Sequence, residues 1–376
     1  MFDPGHEKPF DLSFPPFHRL PLVVRYFQRF PEPGAVSGIK PKTEEQSMKV
    51  RHASRLAQMC AGFDSPLQAD SPEILLMEYL CSGQADQACA LFGESRQFGG
   101  LPAVDAPYGR FEGAAEIRRF ATGWLERFNA SSAGIEPVCQ TQSCGRSVTE
   151  MNVCFVTDGM IEEVPMFVVG DLRNRGMLDE VRIYCNFTRV PGLTPYRKPI
   201  FRSAHLEMGD PSLLTGAFRE YYEALHHVPK LDVERIIASM GEGCVFGGYE
   251  PVTGDPGEEE EPAPMDRETL TRIYTDMSSH IPRWVGMRYE TLTDNGITAV
   301  IEWQHIVTDL GVEEAGRVCM SGISAYSRGK DGLLCSIRIC DYAGFERTID
   351  WSRTPISKEE AYAINRVHVF PAGVGN

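Results

Sequence analysis

Basic residues are scarce in this chain. Its 376 residues include 37 Lys and Arg against 52 Asp and Glu, a net charge of −15. That balance argues against nonspecific binding to DNA, RNA or an anionic membrane. No apolar run reaches about 18 residues, so no transmembrane helix is expected. The opening Met1-Phe2-Asp3-Pro4-Gly5-His6-Glu7 has no basic stretch leading into an apolar one, so no signal peptide is expected. The 11 cysteines contain no Cys-x-x-Cys pair. They read as reduced, mostly buried thiols of a cytoplasmic protein, with no metal site and no cofactor expected. Gly-x-Gly-x-x-Gly after a strand, the P-loop, Gly-x-Ser-x-Gly and His-Glu-x-x-His are all missing. Their absence removes the best-marked routes to nucleotide, serine-hydrolase and zinc-peptidase chemistry.

What is present is a duplication. Val181 to Ile200 aligns without a gap to Ile337 to Ile356, sharing Arg182/Arg338, Ile183/Ile339, Arg197/Arg353, Pro199/Pro355 and Ile200/Ile356. Phe98-Gly99-Gly100 repeats as Phe246-Gly247-Gly248, and Val156-Thr157-Asp158 as Val307-Thr308-Asp309. Order and spacing are kept. The unit is roughly 130–150 residues, too long for a solenoid repeat.

The expected organisation is an N-terminal extension over 1–65, a first copy over 66–205, a second over 206–356 and a tail over 357–376. In the first copy, Ser71-Pro72 starts a helix carrying Ile74, Met77 and Leu80. Ala85 to Phe92 is a second helix. A third starts near Gly113, with Ile117, Phe120, Ala121 and Trp124 on one face. Strands follow at 135–142, 147–156, 164–172 and 177–187. The second copy repeats this: helices at Leu213–His226 and Asp232–Met240, and a third carrying Leu270, Ile273, Tyr274 and Met277. Its strands fall at 283–292, 297–307, 317–326 and 333–342. Asp294-Asn295-Gly296 and Lys330-Asp331-Gly332 are hairpin turns. A Pro/Gly-rich acidic run at 254–262 reads as a mobile loop.

Helices followed by an antiparallel sheet make an α+β protein. Phe111-Glu112-Gly113-Ala114-Ala115-Glu116-Ile117-Arg118-Arg119-Phe120 resembles the Gly-x-x-x-Ile-x-x-Phe entry to the third helix of NTF2-like proteins. That superfamily includes SnoaL-like cyclases, ketosteroid isomerase, scytalone dehydratase and binding modules. The resemblance covers both copies. It implies two tandem cones, each a curved sheet around helices with an apolar pocket at its open end.

Strand alternation locates candidate chemistry. Ile301, Trp303, His305 and Val307 share the more apolar face of their strand. Cys335, Ile337, Ile339 and Asp341 are in phase on the last one. The first copy has Val153 where His305 stands and Cys185 where Asp341 stands. A buried carboxylate needs a partner, and His305 suits Asp341 as a base suits its orienter. Tyr222 shares a helix face with Phe218 and Leu225. By the resemblance, a tyrosine on this helix donates to a developing oxyanion. Trp303, Trp284, Tyr221, Tyr326 and Phe246 would line the pocket. His226 and His227 suit the helix C-terminus, where positive charge meets the dipole. Glu150 and Glu302 match between copies on the outer face, where they could hydrogen-bond across an internal pseudo-dimer; pairing of two chains stays open.

The expected function is a cofactor-free dehydratase-like lyase or an isomerase. It would act on a small apolar cyclic or aromatic molecule through His305, Asp341 and Tyr222. The alternative is a non-catalytic small-molecule-binding or scaffold protein of the same fold. The residues do not reveal the substrate.

Overall fold

The computed structural model describes residues 55–96, 100–143, 145–173, 176–185, 190, 200, 209–227, 230–248, 264–280, 285–308, 317–346 and 368–369. The aromatic-rich stretch at 10–30 and the acidic run at 254–262 lie outside these residues.

The α+β expectation holds, as two tandem units of one plan. After a short helix α1 (Arg55–Met59), the first unit has α2 (Pro72–Cys81), α3 (Ala85–Ala90), α4 (Ala114–Thr122) and α5 (Trp124–Arg127). Its strands are β1 (Ala103–Ala106), β2 (Gly109–Glu112), β3 (Ser132–Ser143), β4 (Arg146–Thr157), β5 (Met160–Leu172) and β6 (Leu178–Cys185). The second unit has α6 (Gly216–Leu225), α7 (Val233–Ala238) and α8 (Arg267–His280). Its strands are β7 (Met240–Gly248), β8 (Val285–Asp294), β9 (Thr298–Thr308), β10 (Arg317–Arg328), β11 (Leu334–Glu346) and β12 (His368–Val369).

The duplication is visible in the sheets. The first runs β2-β1-β6-β5-β4-β3 and the second β12-β8-β9-β10-β11-β7. Without the edge strands β2 and β12, β1-β6-β5-β4-β3 matches β7-β11-β10-β9-β8. In each unit the first strand pairs parallel with the last long strand: β1 with β6, and β7 with β11. The other pairings are antiparallel. Both expected hairpin turns form, with Gly296 at φ +87° and Gly332 at φ +80°, backbone that favours glycine.

Period-2 alternation sorts side chains between two environments. On β4, Met151, Val153 and Phe155 face the helices of their own unit, joined by Met166, Val168, Val181 and Ile183. Ile301, Trp303, Tyr326 and Ile337 do the same in the second unit. The opposite faces of the two sheets meet each other. Cys139, Val148, Phe167, Val169 and Tyr184 pack there with Val300, Ile323, Ala325 and Cys340. Leu56 and Met59 of α1 fill the same seam and are almost fully buried.

The seam carries two reciprocal ion pairs, built from residues that match between the copies. Arg182 of the first unit grips Glu302 of the second, Nε to Oε1 at 2.5 Å and Nη2 to Oε2 at 2.9 Å. Arg338 of the second unit grips Glu150 of the first, at 2.6 and 2.7 Å. All four side chains are at most 2% exposed. Fork-on-carboxylate geometry is the strong form of this bond. The surroundings differ. Tyr184 Oη and Thr291 Oγ1 also donate to Glu302, each at 2.7 Å. Arg182 further donates to Asp171, which also takes Arg146 Nε, both at 2.6 Å. Arg338 instead donates to Ser336 and Ser327, each at 2.8 Å. Asn152 donates to Glu136 within its own unit, at 3.4 Å.

Burial would raise the Asp171 carboxyl, but Arg146 and Arg182 outweigh it and hold the group well below the usual carboxylate range. A depressed acid stabilises the fold above its unfolded pKa, and that contribution is lost as pH falls through the folded value. Urea midpoints should therefore drop as pH falls below about 4. Asp171→Asn should flatten that fall; an unchanged acid limb would assign it to other carboxylates.

Nine cysteines have described side chains, all free thiols. Burial pushes the Cys81 thiol up to about 12. No helix among the described residues is long and apolar enough to cross a membrane.

Candidate functional site

The concave face of the second unit brings together a carboxylate, a tyrosine and a histidine. Helix α6 places Phe218, Tyr221, Tyr222 and Leu225 at i, i+3, i+4 and i+7, and all four pack into the core of their unit. Tyr222 is buried and its hydroxyl donates to Glu290 Oε2 at 2.8 Å. Glu290 lies on β8 opposite Trp303, with Leu292 opposite Ile301. Trp303 and Ile301 are core residues, so the shared face is the inner one. His226 follows the last turn of α6. Its Nδ1 contacts the Tyr222 carbonyl oxygen, its ring centre is 4.0 Å from that of Tyr222, and its Nε2 is 3.7 Å from Glu290 Oε1. A carbonyl only accepts, so Nδ1 carries a proton. Nε2 then faces the carboxylate with a lone pair in the neutral ring, or with an N–H in the imidazolium. At 3.7 Å the contact is an ion-pair distance rather than a hydrogen bond.

An aromatic wall adjoins this group. Tyr221 and Tyr274 share a hydrogen bond between hydroxyls at 2.8 Å. Tyr326 stands 5.1 Å from Tyr221 and 4.7 Å from Phe218, centre to centre. Phe246 meets the edge of Tyr274 at 6.4 Å. The Trp303 indole N–H donates to Ser324 Oγ at 3.1 Å. Its ring lies over Gly322, where an added Cβ would come within 2.7 Å of Cζ2. Burial, joined by the neighbouring tyrosines, pushes the Tyr221 hydroxyl far above its ordinary range. Burial does the same to Tyr274, partly offset by its bond with Tyr221. Both are hydrogen-bonding hydroxyls rather than bases.

Tyr222, Tyr221, Tyr326, Trp303 and Phe246 all pack in or against the core of the second unit. His305 lies on β9 two residues beyond Trp303, its backbone paired with Met320 and Arg288. Asp341 lies on β11 beside Cys340, whose partner Ile323 pairs with Glu302. Two strand spacings, on the order of 10 Å, separate the backbones of His305 and Asp341. Their side chains lie outside the described residues, as does all of Trp284. Glu290 and His226 were missed as site residues. Glu290 was legible: it alternates in phase with Leu292. His226 suits the helix end by its charge, and its ring also reaches the carboxylate.

No protein-family model matches the chain. No curated protein matches it. Solved structures do. An NTF2-like protein of unknown function from Cytophaga hutchinsonii is 9% identical, with a TM-score of 0.24 over 33% of this chain and 95% of its own. A putative polyketide cyclase from Sinorhizobium meliloti is 14% identical, with a TM-score of 0.24 over 30% and 92%. The epoxide hydrolase/cyclase-like enzyme SalBIII, described for pyran ring formation in salinomycin, is 14% identical, with a TM-score of 0.26 over 32% and 93%. Each match spans about a third of this chain. Likeness at this level says nothing of activity.

Proposed function

We propose that the second unit is a cofactor-free acid–base enzyme acting on a small apolar cyclic or aromatic molecule, by dehydration, elimination or isomerisation. The observation that carries this reading is the buried Tyr222–Glu290 hydrogen bond with His226 beside it, set in an aromatic wall. Glu290 accepts a proton from an activated C–H of the substrate. Once protonated, it no longer needs the Tyr222 hydroxyl, which becomes free to donate to the oxygen where negative charge develops. His226 returns or relays the proton. Trp303, Tyr326 and Phe246 favour a flat apolar body. The alternative base is His305 with Asp341 as its orienter, two residues beyond Trp303 and one beyond Cys340.

The test is solvent-deuterium exchange into a panel of cyclic ketones and phenolic alcohols. The full chain should label at least one. Tyr222→Phe, which removes only the hydroxyl, should slow that labelling about a hundredfold with the fold retained. No labelling across the panel, or labelling indifferent to Tyr222→Phe, would turn the reading to a binding or scaffold role.

A further inference from the structure

Among the buried side-chain donors of the first unit that meet no hydrogen-bond partner among the described residues are two that lie together. Tyr108 sits in the turn of the β1–β2 hairpin. Its ring stacks on Phe120 at 6.2 Å and meets the edge of Phe111 at 5.9 Å. The residue is half-buried, yet its hydroxyl is fully buried and meets no hydrogen-bond partner among the described residues. Arg127 ends α5, and its guanidinium carbon lies 5.0 Å over the centre of the Tyr108 ring. Arg127 Nε is also buried without a partner among the described residues.

Other half-buried or buried arginines of this unit are matched to carboxylates: Arg96 to Glu180, Arg110 to Asp105, Arg146 to Asp171, Arg182 to Asp171 and Glu302. Among the described residues, no Asp or Glu pairs with Arg127. Burial pushes the Tyr108 hydroxyl far above its ordinary range, with Cys185 adding to the shift and Arg127 opposing it. It therefore keeps its proton. A buried donor without an acceptor costs free energy, more so beside an unbalanced charge.

The neighbouring core side chains are aromatic. Phe120, Trp124, Phe128 and Phe155 run in a chain of ring contacts from 4.2 to 5.6 Å. Two neighbouring donors, one of them on a cationic side chain, suit an anionic acceptor. The rings behind them ask for a flat apolar body.

We propose that the first unit binds a small aromatic carboxylate, its carboxylate taken by Arg127 and the Tyr108 hydroxyl and its ring laid against the aromatic chain. A neutral water would meet the hydroxyl but leave the Arg127 charge unbalanced. The proposal does not rest on the reading given for the second unit.

Calorimetric titration of the full chain with benzoate and phenylacetate tests it, with benzamide and inorganic phosphate as controls. Saturable binding of at least one carboxylate is expected, with benzamide and phosphate each about tenfold weaker or worse. Tyr108→Phe and Arg127→Met should each weaken that binding about tenfold, and Arg127→Lys should recover part of the loss. Circular dichroism of each variant separates lost binding from lost fold. No saturable binding of either carboxylate would overturn the proposal. So would equal binding of benzamide, or affinity unchanged in Tyr108→Phe and Arg127→Met. Loss on Tyr222→Phe in place of Tyr108→Phe would move the ligand to the second unit and overturn it too.

Discussion

Arg182→Met is expected to lower the unfolding free energy by about 3–5 kcal/mol, read as a fall in urea midpoint. The substitution keeps the length of the apolar stem and removes the fork. It takes the fork from Glu302, a carboxylate 1% exposed at the seam between the sheets, and leaves Arg146 Nε, 3.8 Å away, as its charged neighbour. Tyr184 and Thr291 still donate to that carboxylate, but neither carries charge. Asp171 suffers less, because Arg146 still holds it. The penalty is mostly that of a buried anion left behind. Adding Glu302→Gln to Arg182→Met should therefore recover a large part of it, giving a coupling of more than about 1 kcal/mol in a double-mutant cycle. A loss within about 0.5 kcal/mol for Arg182→Met would mean that water reaches the seam and the pair is screened as at a surface.

Glu290→Gln is expected to slow proton transfer by about 10²- to 10⁴-fold while leaving the fold standing. The amide keeps the shape of the carboxylate, and its carbonyl oxygen can still accept from Tyr222. What it cannot do is take a proton from carbon. A base should appear as a loss of kcat with little change in KM, whereas a merely structural carboxylate would change the midpoint of unfolding instead. His305→Ala and Asp341→Asn belong in the same series. If they abolish turnover and Glu290→Gln does not, the base is His305, and Glu290 is an anchor for Tyr222.

The fold was legible where signals were local. Spacing of Phe218, Tyr222 and Leu225 set the inward face of α6, and the two glycine turns set their hairpins. β7 begins where the expected helix Asp232–Met240 ends and escapes the strand pattern, because its pairing with β11 is parallel and distant and so glycine-rich a stretch leaves no alternation. The seam was partly legible. Glu150 and Glu302 fell on the outer phase of their strands, and Arg182 and Arg338 stood out as repeats. That each arginine reaches the other unit's glutamate needs the docking of two sheets, which no strand pattern encodes. The site was split in the same way. Tyr222 follows from helix spacing and Glu290 from its phase with Leu292, but His226 needs the distance between a helix end and a strand.

The crossed Arg–Glu grips have a consequence for inheritance. In a dimer of identical chains every substitution appears on both sides of the axis, so an interface can only change in duplicate. Here the two sides are spelled separately in one chain. One arginine also holds Asp171 while Tyr184 joins its glutamate, and the other has settled among serines. Each mutation is felt in single dose. The two halves are thus free to diverge while the crossed grips still join them.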